Sequence, residues 1–379
     1  MLSLDRKKND TSVTLDAIRA IAAQMVCVGH GFSLFGVASG LRPPFFPYVQ
    51  NIGVLIFFVM SGFLITATLM RNSRRPEYGF GRYFIDRFAR IYSGLLPALV
   101  FIAVVDGLTI WITSEPTIKE GYNLRALISN LEMLEAYRGV FDHSYLGAHA
   151  FGSANQFWTL AIEWHIYMFV GAVFFLLKGR GWRLPLIAIG LFFGQAAYHF
   201  LFGAFQADGI GQGLFALWLG GAALYFLLSR FSAPIWLGVA TLFLSAICYA
   251  LMVIPGQEYA MASYPALILV IGSMIAITQR TNVIGVARLI GVLADCSFTL
   301  YLIHLSLMVM VYLVFPASRG WGVFFTVVIL ANILAYLIAK PFEMRHREFA
   351  AWLAGLFSPL MTRRNVCPAE GIPRQSDAR

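Results

Sequence analysis

Charge is scarce in this chain. Of 379 residues only 12% are charged, against 59% hydrophobic, and the mean hydropathy is +0.72. A soluble domain carries roughly twice that share of charge, about 25%, so a water-soluble globular fold is excluded. Cysteine is scarce too. Cys27, Cys248 and Cys296 fall in apolar runs and Cys367 near the C-terminus, and none stands in a CxxC or Cys/His spacing. That pattern excludes a disulfide framework and a zinc site. No period of 20 to 50 residues recurs and no tract is of low complexity, which removes solenoids and linker-joined arrays. A cleavable leader is not expected either, because Arg19 interrupts the first apolar run and no small-residue cleavage site follows it.

What the chain does have is long apolar windows, each of the length that crosses a hydrocarbon core. Ten can be read, near 13–36, 50–70, 91–113, 157–177, 184–203, 211–228, 235–253, 261–279, 289–314 and 321–339. The expected fold is all-α, a polytopic transmembrane helical bundle of about ten spans. If the N-terminus is cytoplasmic, about 22 Lys and Arg fall on the cytoplasmic side and about five outside. This bias places both termini in the cytoplasm. It also accounts for the net charge of +9 without a nucleic-acid partner. The chain divides into a cytoplasmic segment 1–12, a membrane domain 13–345 and a tail 346–379. Residues 363–379, rich in charge and with two prolines, are expected to be disordered. The longest outer segment, about 114–156, holds the amphipathic stretch NLRALISNLEMLEAYRGV; the sequence leaves open whether it lies on the surface or dips into the bundle.

Polar groups inside apolar runs are costly unless they are paired or used. Arg19 and His30 share the first span, eleven residues apart, close to three helical turns, so both lie on one face about 16 Å apart along the axis. Ser61 and Gly62 sit in the second span. Ser61 can bind a ligand, while small residues at this depth also let helices pack closely. The following stretch is the most basic in the chain. Arg71, Arg74 and Arg75 read as a topology signal for anionic headgroups. Arg87 and Arg90, spaced i, i+3 on a helix running into the third span, are suited to gripping phosphates. Glu163 lies about two turns inside the outer end of the fourth span and shares a face with Thr159 and Tyr167; His165, two residues on, points elsewhere and reads as structural. Ser297, Tyr301 and His304 stack on one face of the ninth span. Under the inferred topology His30, Glu163 and His304 share one depth, with Arg19, Arg87 and Arg90 nearer the cytoplasm. The layout is that of a conduit with cations at its inner mouth. Two other classes fit some of these residues: a proton-coupled transporter, which usually shows internal repeats, and a bis-His haem or quinone protein using His30 and His304.

Five stretches in order resemble the membrane-bound acyltransferase 3 family, the O-acyltransferases of cell-surface glycans. They are Arg19 with His30, Phe57 to Leu64, Arg87 to Tyr92, Trp158 to Glu163, and Tyr301 with His304. The resemblance spans roughly 13–345. Ser93, Leu55 and His165 depart from its usual residues, and those departures bear on acceptor choice. The resemblance implies an acyl-CoA-dependent O-acyltransferase of a bacterial cytoplasmic membrane, moving most often an acetyl group to a hydroxyl of a glycan or lipid-linked sugar. Acetyl-CoA would be a co-substrate, with no tightly bound cofactor and no metal. Its partners would be that carbohydrate acceptor and the membrane lipids. His30 would take the hydroxyl proton, with Glu163 or His304 orienting it or holding the acceptor. Arg19, Arg87 and Arg90 would bind CoA, and Ser61, Trp158 and Tyr301 would line the substrate site, Ser61 and Tyr301 as oxyanion donors.

Overall fold

The computed structural model describes residues 10–41, 43, 45–135, 137, 150–253, 257–279, 287–317 and 319–362. Cys367 and the expected disordered tail 363–379 lie outside the described residues, as do residues 1–9 and the end of the amphipathic stretch.

No strand occurs among the described residues, and the backbone is satisfied almost wholly within helices, as hydrocarbon surroundings demand. In order these are α1 (Asp10–Phe35), α2 (Val49–Asn72), α3 (Phe80–Thr113), α4 (Pro116–Gly121), α5 (Leu124–Leu131), α6 (Phe157–Leu177), α7 (Arg183–Phe202), α8 (Leu214–Arg230), α9 (Ile235–Met252), α10 (Tyr264–Thr278), α11 (Ala287–Asp295), α12 (Ser297–Val314), α13 (Trp321–Ala339) and α14 (His346–Thr362). Among the described residues nine helical segments are long and apolar enough to cross a membrane. The expected span at 211–228 is the shorter apolar helix α8, of 17 residues.

The helix of Arg87 and Arg90 runs into the third span as expected: it begins at Phe80, and its basic first turns and its apolar run are one helix of 34 residues. One span differs from its expected form. The ninth is broken at Cys296, and α12 starts afresh at Ser297. The break is held by a carboxylate from elsewhere in the chain. Glu343 Oε2 accepts Thr299 N–H at 3.0 Å and Thr299 Oγ1–H at 2.8 Å, satisfying a first-turn donor that a helix cannot satisfy itself.

Helix α1 lies at the middle, packed on α2, α10, α11, α12 and α13, while α3 packs on α6, α12 and α14. The closest approach in the bundle joins α2 to α8. A Cβ on Gly62 would stand 1.9 Å from the Trp218 carbonyl oxygen, and one on Gly221 2.0 Å from that of Val59. The two backbones touch through these glycines, so Gly62 is there for packing.

The amphipathic outer segment dips into the bundle. Tyr92 Oη, over three turns into α3, donates to the Leu131 carbonyl. Met133, Glu135 and Tyr137 follow, all buried. His165 is fully buried between the rings of Tyr137 and Phe193, turned away from Glu163's surroundings as its spacing required.

Candidate active site

One end of the bundle carries the basic loops that join α2 to α3, α6 to α7 and α8 to α9. From this end a cavity of about 1860 Å³ runs inward. Its rim holds Arg71, Arg74, Lys178, Arg180, Arg230 and Arg347; deeper come Arg19, Arg87 and Arg90; its walls reach Ser61, Glu163, Ser297 and finally Phe57, Thr159 and Tyr301. Arg71 and Arg74, which the sequence assigns to topology alone, therefore face the same space as the candidate phosphate ligands. Arg180 is fixed by donating to the carbonyls of Ser73 at 2.7 Å and Arg75 at 3.1 Å.

The three deeper arginines are held in different ways. Arg19 pairs with Asp16 at 3.4 Å and donates to the Ala294 carbonyl at 3.1 Å and to Ser297 Oγ at 3.5 Å. Arg90 pairs with buried Glu343 at 3.2 Å and lies over the Phe298 ring. Glu343 thus ties the start of α12 to Arg90. The Nε of Arg87 is buried with no hydrogen-bond partner among the described residues, and the residue lines the cavity.

Glu163 stands in the cavity wall at the end of a directed hydrogen-bond chain. Trp218 Nε1 donates to Ser61 Oγ at 3.1 Å, Ser61 Oγ lies 2.9 Å from Tyr167 Oη, and Tyr167 donates to Glu163 Oε1. An indole N–H only donates, so the chain points its hydrogens toward the carboxylate. The glycine contact between α2 and α8 is what brings Trp218 to Ser61.

At the inner end, Tyr301 Oη is hydrogen-bonded to Thr159 Oγ1 and donates to the Gln156 carbonyl at 3.0 Å. The hydroxyls of Ser61 and Tyr301 are thus engaged with protein partners. The Tyr301 ring touches Phe57 on the cavity side at 5.8 Å and His304 on the other at 6.1 Å, measured between centroids. His304 in turn lies 5.3 Å from His30. Neither histidine is among the residues lining the cavity; the pair sits one ring behind it. Trp158 is stacked on Phe205 at 4.6 Å and does not line the cavity.

Both Arg19 and His30 face α12, the first against Ser297 and the second against His304. The shared face read from their spacing is thus the face that meets the Ser297, Tyr301, His304 stripe. The expected common depth of Glu163, His30 and His304 is not what the helices give. α6 and α12 run antiparallel and meet at Thr159 and Tyr301. From that contact Glu163 is four residues toward the basic end and His304 three toward the other, a separation of about 10 Å along the axis. The carboxylate keeps company with the arginines, and the imidazoles stand apart from them.

His304 has a fixed tautomer. Its Nδ1 lies 3.0 Å from the Leu300 carbonyl, and since a carbonyl only accepts, Nδ1 carries the proton. The buried Nε2 is then a bare lone pair with no partner among the described residues. Glu343, Trp218 and Gln156 were not singled out by the sequence. Each is an ordinary residue of its segment, and only the fold gives it a neighbour.

The acyltransferase-domain family profile matches residues 13–340. A curated protein of Shigella phage Sf6, described as an O-acetyl transferase, is 29% identical over 178 residues, 45% of this chain and 49% of that protein. The chain thus spans about half the length of the curated relative it matches. No solved structure matches the chain.

Proposed function

Since the chain belongs to the acyltransferase 3 family, we propose that it moves an acetyl group from acetyl-CoA to a hydroxyl of a cell-surface or lipid-linked carbohydrate. The observation that carries this reading is the blind cavity itself: cations crowd its mouth, and an imidazole pair lies behind its inner wall. The CoA phosphates would rest among Arg71, Arg74, Arg230 and Arg347, with Arg87 reaching the deeper one. About 16 Å separates the levels of Arg19 and His30, a length that the extended pantetheine arm matches. The thioester then comes to Tyr301.

There the acceptor oxygen attacks the thioester carbonyl as His30 takes its proton. The new C–O bond forms, the C–S bond breaks, and the proton passes from His30 to the departing thiolate, leaving an ester and free CoA. His304 is suited to orient His30. Its Nε2 lone pair can accept an N–H from the neighbouring ring, as its own Nδ1–H is held by Leu300. Glu163, about 10 Å nearer the basic end, is better placed to position the donor than to touch the acceptor. The phage relative's description supports O-acetyl transfer in particular.

The test uses proteoliposomes with labelled acetyl-CoA supplied on the side of the basic loops and, on the other side, surface polysaccharide from a strain of the source organism lacking this gene. The polysaccharide should gain label. His30→Ala should lower the rate by about 10² to 10⁴ at unchanged expression. A His30→Ala rate equal to the parent would remove His30 from the chemistry, and label gained only when both substrates share the basic side would refute donor and acceptor entering from opposite ends.

A further inference from the structure

Ser61, Tyr167 and Glu163 all line the cavity, while Trp218, at the head of their hydrogen-bond chain, is buried and does not reach it. Both ends of the chain have a fixed sense. The Trp218 indole can only donate and the Glu163 carboxylate can only accept. Ser61 Oγ therefore receives from Trp218 and gives its own hydrogen to Tyr167, and Tyr167 gives its own to Glu163 Oε1. Reversal is opposed, because the indole hydrogen already points at Ser61 Oγ and a reversed chain would bring two hydrogens onto that one oxygen. At the other end, no cation forms an ion pair with Glu163 and nothing donates to its Oε2 among the described residues. The carboxylate in the cavity wall thus has one oxygen engaged by the chain and one without a donor.

Position along α6 selects which part of a donor molecule meets it. Thr159, bonded to Tyr301 at the inner end, is one turn away, four residues or about 6 Å along the axis. With the thioester carbonyl at Tyr301, the pantetheine arm carries its nearest N–H four bonds on, about 5 Å when extended, and its second N–H eight bonds on, about 10 Å. Its hydroxyl is farther still. Only the nearer N–H falls level with Glu163. A carboxylate repels phosphate and accepts from an amide, so charge and depth select the same group.

We infer that Trp218, acting through Ser61 and Tyr167, holds Glu163 as the hydrogen-bond acceptor for the pantetheine amide N–H nearest the thioester, and so sets how deeply the acyl donor enters; this rests on the transfer function proposed above. Glu163 touches the donor, and Trp218, Ser61 and Tyr167 position it. The chain also makes glutamine a poor replacement for Glu163. Since Tyr167 gives its hydrogen, a glutamine there must turn Oε1 to Tyr167 and Nε2 to the other side, which puts a hydrogen-bond donor where the amide needs an acceptor. Without the indole, Ser61 Oγ is free to accept from Tyr167, so Trp218→Phe divides the tyrosine hydrogen between Ser61 and Glu163 and loosens the carboxylate.

Equilibrium dialysis of the purified full-length protein, with no acceptor present, compares labelled acetyl-CoA with an analogue that has an ester oxygen in place of that amide N–H. The parent should bind acetyl-CoA about tenfold or more tightly than the analogue, the size of one hydrogen bond to a charged group. This comparison needs no variant. Glu163→Gln should bind the two with Kd values within about twofold of each other. Trp218→Phe should lower the preference about threefold or more, with its Kd for the analogue within about twofold of the parent's. Equal binding of the two by the parent would overturn the amide contact. An unchanged preference in Glu163→Gln would remove that carboxylate from it, and an unchanged preference in Trp218→Phe would remove the chain. No binding of acetyl-CoA by the parent would instead overturn the donor on which the proposed function rests, and the contact with it.

Discussion

Glu135 shows how much one buried group can report. It is outside the spanning helices, nearly inaccessible, and its carboxyl is raised from 4.5 to about 8 by burial alone. A carboxyl raised on folding stabilises the protonated fold. That contribution is complete below the unfolded value near 4.5 and is lost as pH climbs to about 8. The detergent-solubilised protein should therefore lose Tm across that interval, and Glu135→Gln should flatten the loss; a variant with the parent's pH profile would place the carboxyl in water. Single residues were unevenly legible in the sequence. Arg19, His30, Tyr301 and His304 stood out because a polar group in an apolar run has an energetic cost visible in one dimension. Glu135, Gln156 and Tyr259 did not, because each lies in a mixed loop where polar residues are ordinary and only the third dimension shows them buried. Trp158 stood out through its motif and yet stacks on Phe205 away from the cavity.

At the scale of helices, backbone contact decides what side chains can do. The Gly62 to Trp218 approach leaves no room for a methyl group, so Gly62→Ala must push α8 away from α2. Overpacking of this kind costs about 1–3 kcal/mol, and it should also withdraw the indole from Ser61 and loosen Glu163 at the far end of the chain. The expected outcome is a lower Tm together with a higher acetyl-CoA KM. An Ala variant with the parent's Tm would mean that the helices adjust freely. The spans themselves were readable, because length and apolarity are what a bilayer selects. Their breaks were not. Nothing local marks Cys296 as an interruption; the stop depends on Glu343, forty-four residues from Thr299. The common depth expected for the three acid-base groups failed for a related reason. Depth along a helix follows from its start, and α6 and α12 slide in opposite senses from their contact at Thr159 and Tyr301.

For the whole molecule, the basic residues at one end line the mouth of the cavity, so under the proposed function the side chains that bias membrane orientation would also govern substrate access. Cysteine tags placed within 71–79 should be shielded from a membrane-impermeant reagent applied outside intact cells, and tags within 116–123 should react; the reverse would turn the cavity mouth outward. The blind end at Tyr301 has an electrical consequence. A water-filled cavity carries the potential of its own bath inward as far as Phe57 and Tyr301, so the share of the transmembrane voltage that remains falls across the protein beyond them, where His304 and His30 stand. A unit charge crossing a drop of 100 mV exchanges about 2.3 kcal/mol. Under the proposed mechanism a proton handed from a hydroxyl to His30 would move inside that layer, and an energised membrane would act directly on the transfer.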